Sequence, residues 1–311
     1  MGKALILTDG KAGHENQSKA LAVALGFDYV LVGVQFKSKF AKALSYLSDF
    51  FSIRSKAFFR LSENVLSLSG IDVVIGTGSG TFYAVKVVSE IIAKPSAVVL
   101  YPRGYRTASF SCVLAPVFDR PKKAPNVIEI PANLVVNDES FYKAGVENFL
   151  LRHTPKKDSV AVVVGGPNKC SQMSAEWMRR MLEKVFEENK GKEFWVTTSR
   201  RTPDDVERVV ESFPFDYKLI YSREKFNPIP AFVHLAKKMY VTAESTGMLS
   251  ESCTFGSAEV EVLDNLLAGN HKFRRFVDML KEGGYVGSSR KIDLTEISAR
   301  AKKLLAKNTK M

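Results

Sequence analysis

Near the start of the chain, the run Asp9-Gly10-Lys11-Ala12-Gly13-His14-Glu15-Asn16-Gln17 gathers a carboxylate, a lysine, two glycines and an imidazole. Glycines in such a turn open backbone N–H groups to an anion, and a helix beginning there adds the positive end of its dipole. Imidazole titrates near neutral pH, so His14 is the residue suited to take a proton from an acceptor hydroxyl, with Asp9 the second catalytic candidate. Gly10, Lys11, Gly13, Asn16 and Gln17 are assigned to substrate binding beside them. A capped tight turn holding a satisfied histidine would account for the same residues without a ligand.

Similar chemistry recurs further along. Gly76-Thr77-Gly78-Ser79-Gly80 opens a helix and nominates Gly78 for substrate binding. Its spacing is not GxGxxG and no GxxxxGK[ST] occurs, which argues against a nicotinamide site and against a P-loop. A glycine turn that merely lets two backbones approach would explain it equally well. Later come Gly165-Gly166-Pro167, Thr198-Ser199-Arg200-Arg201-Thr202-Pro203 and Ala243-Glu244-Ser245-Thr246-Gly247. Arg200 and Arg201 offer planar donors matched to phosphate oxygens, with Ser199 beside them. Ser245, Thr246 and Gly247 stand at a helix start, and Glu251, one turn on, is placed to accept from ribose hydroxyls. Paired arginines ahead of Pro203 would also serve as plain surface charge.

These loops need elements to present them. Short β-branched apolar runs alternate with amphipathic stretches, the pattern of a mostly parallel sheet covered by helices. The first series is Ala4–Thr8, Tyr29–Gly33, Val73–Ile75, Ala97–Leu100, Cys112–Ala115 and Val127–Ile130. The second is Val160–Val164, Phe194–Thr197, Lys218–Tyr221, Met239–Thr242 and Val260–Leu263. Between them, Thr154-Pro155-Lys156-Lys157-Asp158 reads as a linker. Every candidate loop follows a strand, where open α/β sheets bind ligands. The expected fold is α/β: two Rossmann-like domains facing a cleft, at residues 1–153 and 158–270, with C-terminal helices over 271–311 packing back on the N-terminal domain.

Composition narrows the function classes. No apolar run in the 311 residues approaches the roughly 20 needed to span a bilayer, and Ala4–Thr8 reads as a strand and not as part of a signal peptide. The expectation is a cytoplasmic protein beginning near Met1. Three scattered cysteines, Cys112, Cys170 and Cys253, suggest neither a disulfide framework nor a zinc site. The net charge of +12 favours anionic partners. It is spread evenly, 18 Lys+Arg against 12 Asp+Glu up to Pro155 and 27 against 21 beyond, so nucleic acid is not an expected partner. Phe36, Phe40, Ala43, Leu44, Leu47, Phe50 and Phe51 recur at helical spacing, with Lys37, Lys39 and Lys42 off the stripe and Arg54, Lys56, Phe58, Phe59 and Arg60 following. Such a stripe either packs on the first sheet or offers a peripheral contact to the inner face of an anionic membrane.

Asp9–Ser18, Gly165-Gly166-Pro167, Thr198–Pro203, Asn227-Pro228 and Val241–Glu251 together resemble the plant mitochondrial-fission Elm-type family, whose bacterial members are described as glycosyltransferases of the GT-B fold. The resemblance covers about residues 4 to 265. It implies a nucleotide-diphosphate sugar as substrate, held mainly by the C-terminal domain, with no further cofactor and no metal. Ser245, Thr246, Gly247 and Arg200 would face the diphosphate, Glu251 the ribose and Asn227 the base. The Asp9–His14 loop is also similar to the glycine-rich loop of the lipid-linked N-acetylglucosaminyltransferase of peptidoglycan synthesis, which implies His14 as base and a membrane lipid or surface glycan as acceptor. Three departures stand out: Glu244-Ser245-Thr246-Gly247-Met248 for Asp-Ser-x-Ser-Met, Phe255-Gly256-Ser257 for Gly-Lys-Pro, and Pro116-Val117-Phe118-Asp119 for Pro-x-His-Asp. A nucleotide-sugar epimerase on the same fold and a non-catalytic membrane-associated adaptor remain as alternatives.

Overall fold

The computed structural model describes residues 2–136 and 139–308. The chain divides into two compact units, the first built from residues 1–137 and 293–311 and the second from 138–292. In the first unit β1 (Gly2–Thr8), α1 (Ala12–Leu25), β2 (Phe27–Phe36), α2 (Lys39–Phe50), β3 (Phe59–Leu61), β4 (Ile71–Thr77), α3 (Phe82–Ile91), β5 (Ser96–Val99), β6 (Cys112–Pro116) and β7 (Val127–Ile130) follow in order. The second contains α4 (Glu139–Leu150), β8 (Ser159–Val163), α5 (Ala175–Glu188), β9 (Glu193–Thr197), α6 (Asp204–Ser212), β10 (Tyr217–Leu219), α7 (Ile229–Leu235), β11 (Lys238–Thr242), α8 (Thr246–Thr254), β12 (Glu259–Leu263) and α9 (Lys272–Glu282). The chain then returns to the first unit as α10 (Thr295–Asn308).

The first sheet runs β3-β2-β1-β4-β5-β6-β7, parallel throughout except for the antiparallel β2–β3 edge pair. Strands buried on both faces read as continuous apolar runs, and Ala4, Leu5, Ile6 and Leu7 are all fully buried. Their side chains alternate between two cores. Leu5 and Leu7 join Phe82 and Val85 of α3, whereas Ala4 and Ile6 join Leu21 of α1 and Ile297, Ala301 and Leu305 of α10. The second sheet runs β10-β9-β8-β11-β12, all parallel. Val160, Val162 and Val196 face Met178, Leu182 and Val206 of α5 and α6.

Three expectations are corrected. The units do not divide at the proline-bearing stretch after His153, because α4 belongs to the second unit: fully buried Phe149 lies 5.0 Å from the Trp195 ring and 5.7 Å from that of Phe232. The stretch itself is tied down, with the amides of Lys156 and Lys157 donating to Glu193 at 2.7 and 3.2 Å. Of the C-terminal helices over 271–311, not all pack back on the first unit: α9 stays with the second unit and α10 packs on α1, β6 and β7. Finally, the Phe36–Phe51 stripe packs on the sheet only in part: Phe36 lies in β2 and joins its core, whereas Phe40, Leu47, Phe50 and Phe51 are exposed. The residues that α2 buries are Ser45 and Asp49.

Candidate functional site

In each sheet the strand order reverses beside the unit's first strand, between β1 and β4 and between β8 and β11, the position where doubly wound sheets hold ligands. At the first reversal, β1 ends and Gly10 turns the chain at φ +75° into α1. The Asp9 carboxylate accepts from Lys11 Nζ at 2.8 Å and faces His14 Nδ1 at 3.1 Å from both of its oxygens. Burial works to raise the Asp9 carboxyl, yet Lys11 and His14 outweigh it and hold it below the ordinary value. A carboxylate on Nδ1 favours the tautomer protonated there, which leaves the Nε2 lone pair to accept a proton.

The loop after β4 closes over this pair. A Cβ on Gly78, at φ +82°, would come within 2.4 Å of the His14 ring, and one on Gly80 within 2.5 Å of the Asp9 carboxylate. Gly78 thus makes room for the imidazole. Lys42, which the sequence placed only among the basic residues off the α2 stripe, reaches the same loop with Nζ 3.0 Å from Ser79 Oγ. Burial lowers its ammonium, and the like charge of Lys11 adds to the effect. The signal that could have found it is its spacing to Ser45 and Asp49, the face that α2 turns inward. Gln17 is buried and donates to the Gly13 carbonyl, with Oε1 unpaired among the described residues. Gly13 and Asn16 are exposed.

At the second reversal the loops lock onto one another. The amides of Gly165 and Gly166 donate to Thr242 Oγ1 at 2.8 Å and Glu244 Oε1 at 2.7 Å, while Asn265 Nδ2 reaches Glu244 Oε2 at 2.8 Å. Arg201 Nη1 donates to the Gly166 carbonyl at 2.8 Å, and the Thr202 hydroxyl to that of Gly165 at 2.6 Å. A Cβ on Gly165 would fall 2.0 Å from Glu244, and one on Gly166 2.1 Å from the Arg201 carbonyl. These glycines are demanded by loop-to-loop contact. Glu244, given no role from the sequence, is the centre of the brace; burial raises its carboxyl above the ordinary value in spite of its hydrogen bonds. Ser199 Oγ accepts from the Arg201 amide at 3.3 Å.

What the brace leaves open is a set of donors. Arg200 is exposed in the loop after β9. Ser245 precedes α8 without capping it by a side-chain bond, and the first-turn amide of Gly247 has the donor character of a helix start. A Cβ on Gly247 would meet nothing within 4 Å. Glu251, further along α8, accepts from the Tyr142 hydroxyl at 3.4 Å, and burial pushes its carboxyl up to about 7. Asn227 is exposed and accepts from the Ile229 amide at 3.2 Å, at the start of α7. Among the described residues, no group of three or more His, Cys, Asp or Glu side chains is placed to hold a metal ion.

A family model described as mitochondrial fission ELM1 matches residues 12–307. The chain belongs to the mitochondrial fission ELM1 family. An ELM1-family resemblance through the sequence motifs is therefore upheld. The chain is 25% identical to an uncharacterized protein of Rickettsia prowazekii (strain Madrid E), over 81% of this chain and 80% of that one. Among solved structures, it resembles a candidate UDP-N-acetylglucosamine 2-epimerase from Listeria monocytogenes at 12% identity and a TM-score of 0.58, covering 98% of this chain and 95% of the other. It also resembles a UDP-glucosyltransferase from Polygonum tinctorium at 11% identity and a TM-score of 0.50, covering 99% and 92%. At such identities the likeness carries the fold alone.

Proposed function

We propose that the protein is a glycosyltransferase that takes a nucleotide-diphosphate sugar as donor and a hydroxyl-bearing lipid or glycan as acceptor. The Asp9–His14 dyad carries this reading. A carboxylate fixed on Nδ1, with Gly78 against the ring and Gly80 against the carboxylate, amounts to a pre-oriented base, the group that transfer to a hydroxyl requires. The second unit supports the donor half: Arg200 and the start of α8 offer donors to a diphosphate as negative charge builds on it in leaving. Gly165, Gly166, Ser199 and Arg201 hold these donors in place, with Glu251 assigned to the ribose and Asn227 to the base. The GT-B fold and the family favour nucleotide-sugar chemistry of this kind.

A nucleotide-sugar epimerase is the second reading, favoured by the likeness to the Listeria protein. One panel separates them: nucleotide sugars, UDP-N-acetylglucosamine and UDP-glucose first, assayed by thermal shift, by acceptor-dependent release of nucleoside diphosphate, and by isomer analysis of recovered sugar. A transferase releases diphosphate and leaves the unused donor unchanged, whereas an epimerase isomerises the donor with no acceptor present. An adaptor gives neither a shift nor turnover, and that result overturns both catalytic readings.

A further inference from the structure

Helix α2 turns its one carboxylate inward and leaves much of its apolar side outward. Phe40, Leu47 and Phe50 are 71%, 56% and 69% exposed, and Phe51 and Ile53 beyond the helix end are 63% and 54% exposed. The inward face is fixed by polar bonds. Buried Asp49 accepts from Lys86 Nζ at 2.7 and 2.8 Å, from Arg54 Nη1 at 3.1 Å and from the Arg106 amide at 2.7 Å. Ser45 Oγ lies 2.9 Å from the Tyr105 hydroxyl. A helix that buries its one carboxylate and leaves a contiguous row of aromatic and leucine side chains in water carries a surface for something outside the fold.

Beside this ridge opens a cavity of about 490 Å³, lined by Phe50, Tyr101, Arg103, Arg106 and Lys122 among others, and no carboxylate lines it. Its two guanidiniums donate to neutral oxygens: Arg103 Nη2 to the Asp119 carbonyl, Arg106 Nη1 to Ser52 Oγ and the Phe50 carbonyl. Their charge stays available. Around the ridge, Lys37, Lys39, Lys56 and Arg60 are exposed, and Asp49 is the only carboxylate in the sequence between Lys37 and Arg60. Uncompensated cations around an apolar ridge match one environment well, the boundary between anionic headgroups and acyl chains.

We propose that this cavity is a binding site for the phosphate headgroup of an anionic membrane lipid, and that Leu47, Phe50 and Phe51 enter the acyl layer beside it. The proposal is independent of glycosyl transfer, since docking needs neither donor nor base.

The test is cosedimentation of the full chain with phosphatidylcholine vesicles, with and without phosphatidylglycerol, at low and moderate salt. Binding is expected only with phosphatidylglycerol and should weaken with salt. Arg103→Gln with Lys122→Gln should lower it about 20-fold, since a cation at such a surface contributes about fivefold. Leu47→Ser with Phe50→Ser and Phe51→Ser should lower it at both salts, while exposed Lys184→Gln on the second unit leaves it unchanged. Thermal melting confirms that each variant is folded, as all these side chains stand in water. Equal binding to neutral vesicles, no binding, or indifference to both sets of variants overturns the site. So does a ridge variant whose only effect is on self-association in sedimentation velocity, which would make the ridge a protein interface. Loss of nucleotide-sugar turnover with vesicle binding intact would sink the transferase reading alone.

Discussion

The base role proposed for His14 depends on the orientation of its ring, which is set by the Asp9 carboxylate, the Gly78 backbone and its place in the first turn of α1. His14→Ala should lower turnover roughly 100-fold or more, with nucleotide binding preserved in a thermal-shift assay. Asp9→Asn should also lower it, because an amide on Nδ1 no longer selects the same tautomer. Wild-type turnover in either variant removes the dyad from the mechanism. On the donor side, Arg200→Ala should weaken nucleoside diphosphate binding by about 1.5 to 3 kcal/mol while leaving nucleoside binding unchanged, measured by calorimetric titration. Glu251 adds a pH signature. Its carboxyl is raised from about 4.5 to about 7, so between those values the unfolded chain gives up a proton that the folded one keeps. Stability from this group is full below about 4.5 and is lost as pH rises through 7. Glu251→Gln should flatten that part of the melting profile by an amount on the order of 1 kcal/mol; an unchanged slope would place the burial effect elsewhere. The candidate residues were legible in the sequence because turn-and-helix chemistry announces itself in Gly, Ser and His. Their pairing was not, since nothing in the spacing of Asp9 and His14 says which of several polar groups the ring will face. Glu244 and Lys42 escaped for a related reason: each comes from an element distant in sequence from the loop it serves.

At the scale of elements, the strands were readable because an inner parallel strand is apolar on both faces and leaves a short, unbroken hydrophobic run. What periodicity does not reveal is which way a stripe points. The spacing of α2 showed an apolar row but not that Asp49 and Lys86, distant in sequence, would pin the opposite face inward. Another element-level puzzle, the Phe255-Gly256-Ser257 junction after α8, has a steric answer. Gly256 sits at φ +70°, and a Cβ there would lie 1.6 Å from the carbonyl of Val233 in α7. Backbone cannot swing aside as a side-chain end can, so Gly256→Ala should cost about 3 kcal/mol or more, read as a drop in the denaturant midpoint. A neutral result would show that α7 and α8 separate at little cost.

At the scale of the whole molecule, the two units are not two successive segments, because the first is left at residue 137 and regained at 293. Ile297, Ala301 and Leu305 of α10 complete one of its two cores. Removing residues 293–311 should therefore destabilise the N-terminal unit and spare the second, detectable as loss of hydrogen-exchange protection in β1 and β4 but not in β8 and β11. Equal loss in both would show that the units unfold as one. The arrangement also bears on biosynthesis. A ribosome finishes every strand and helix of the second unit before it makes α10, although it began the first unit much earlier. The usual N-to-C sequence of folding is thereby inverted for the final step, and Ile6, Leu21 and Leu114 must wait with part of their apolar neighbourhood unfilled through the translation of more than 150 further residues, for about 10 to 30 s at ordinary elongation rates. A nascent chain in that interval presents an open groove of apolar side chains, the kind of surface that chaperones hold.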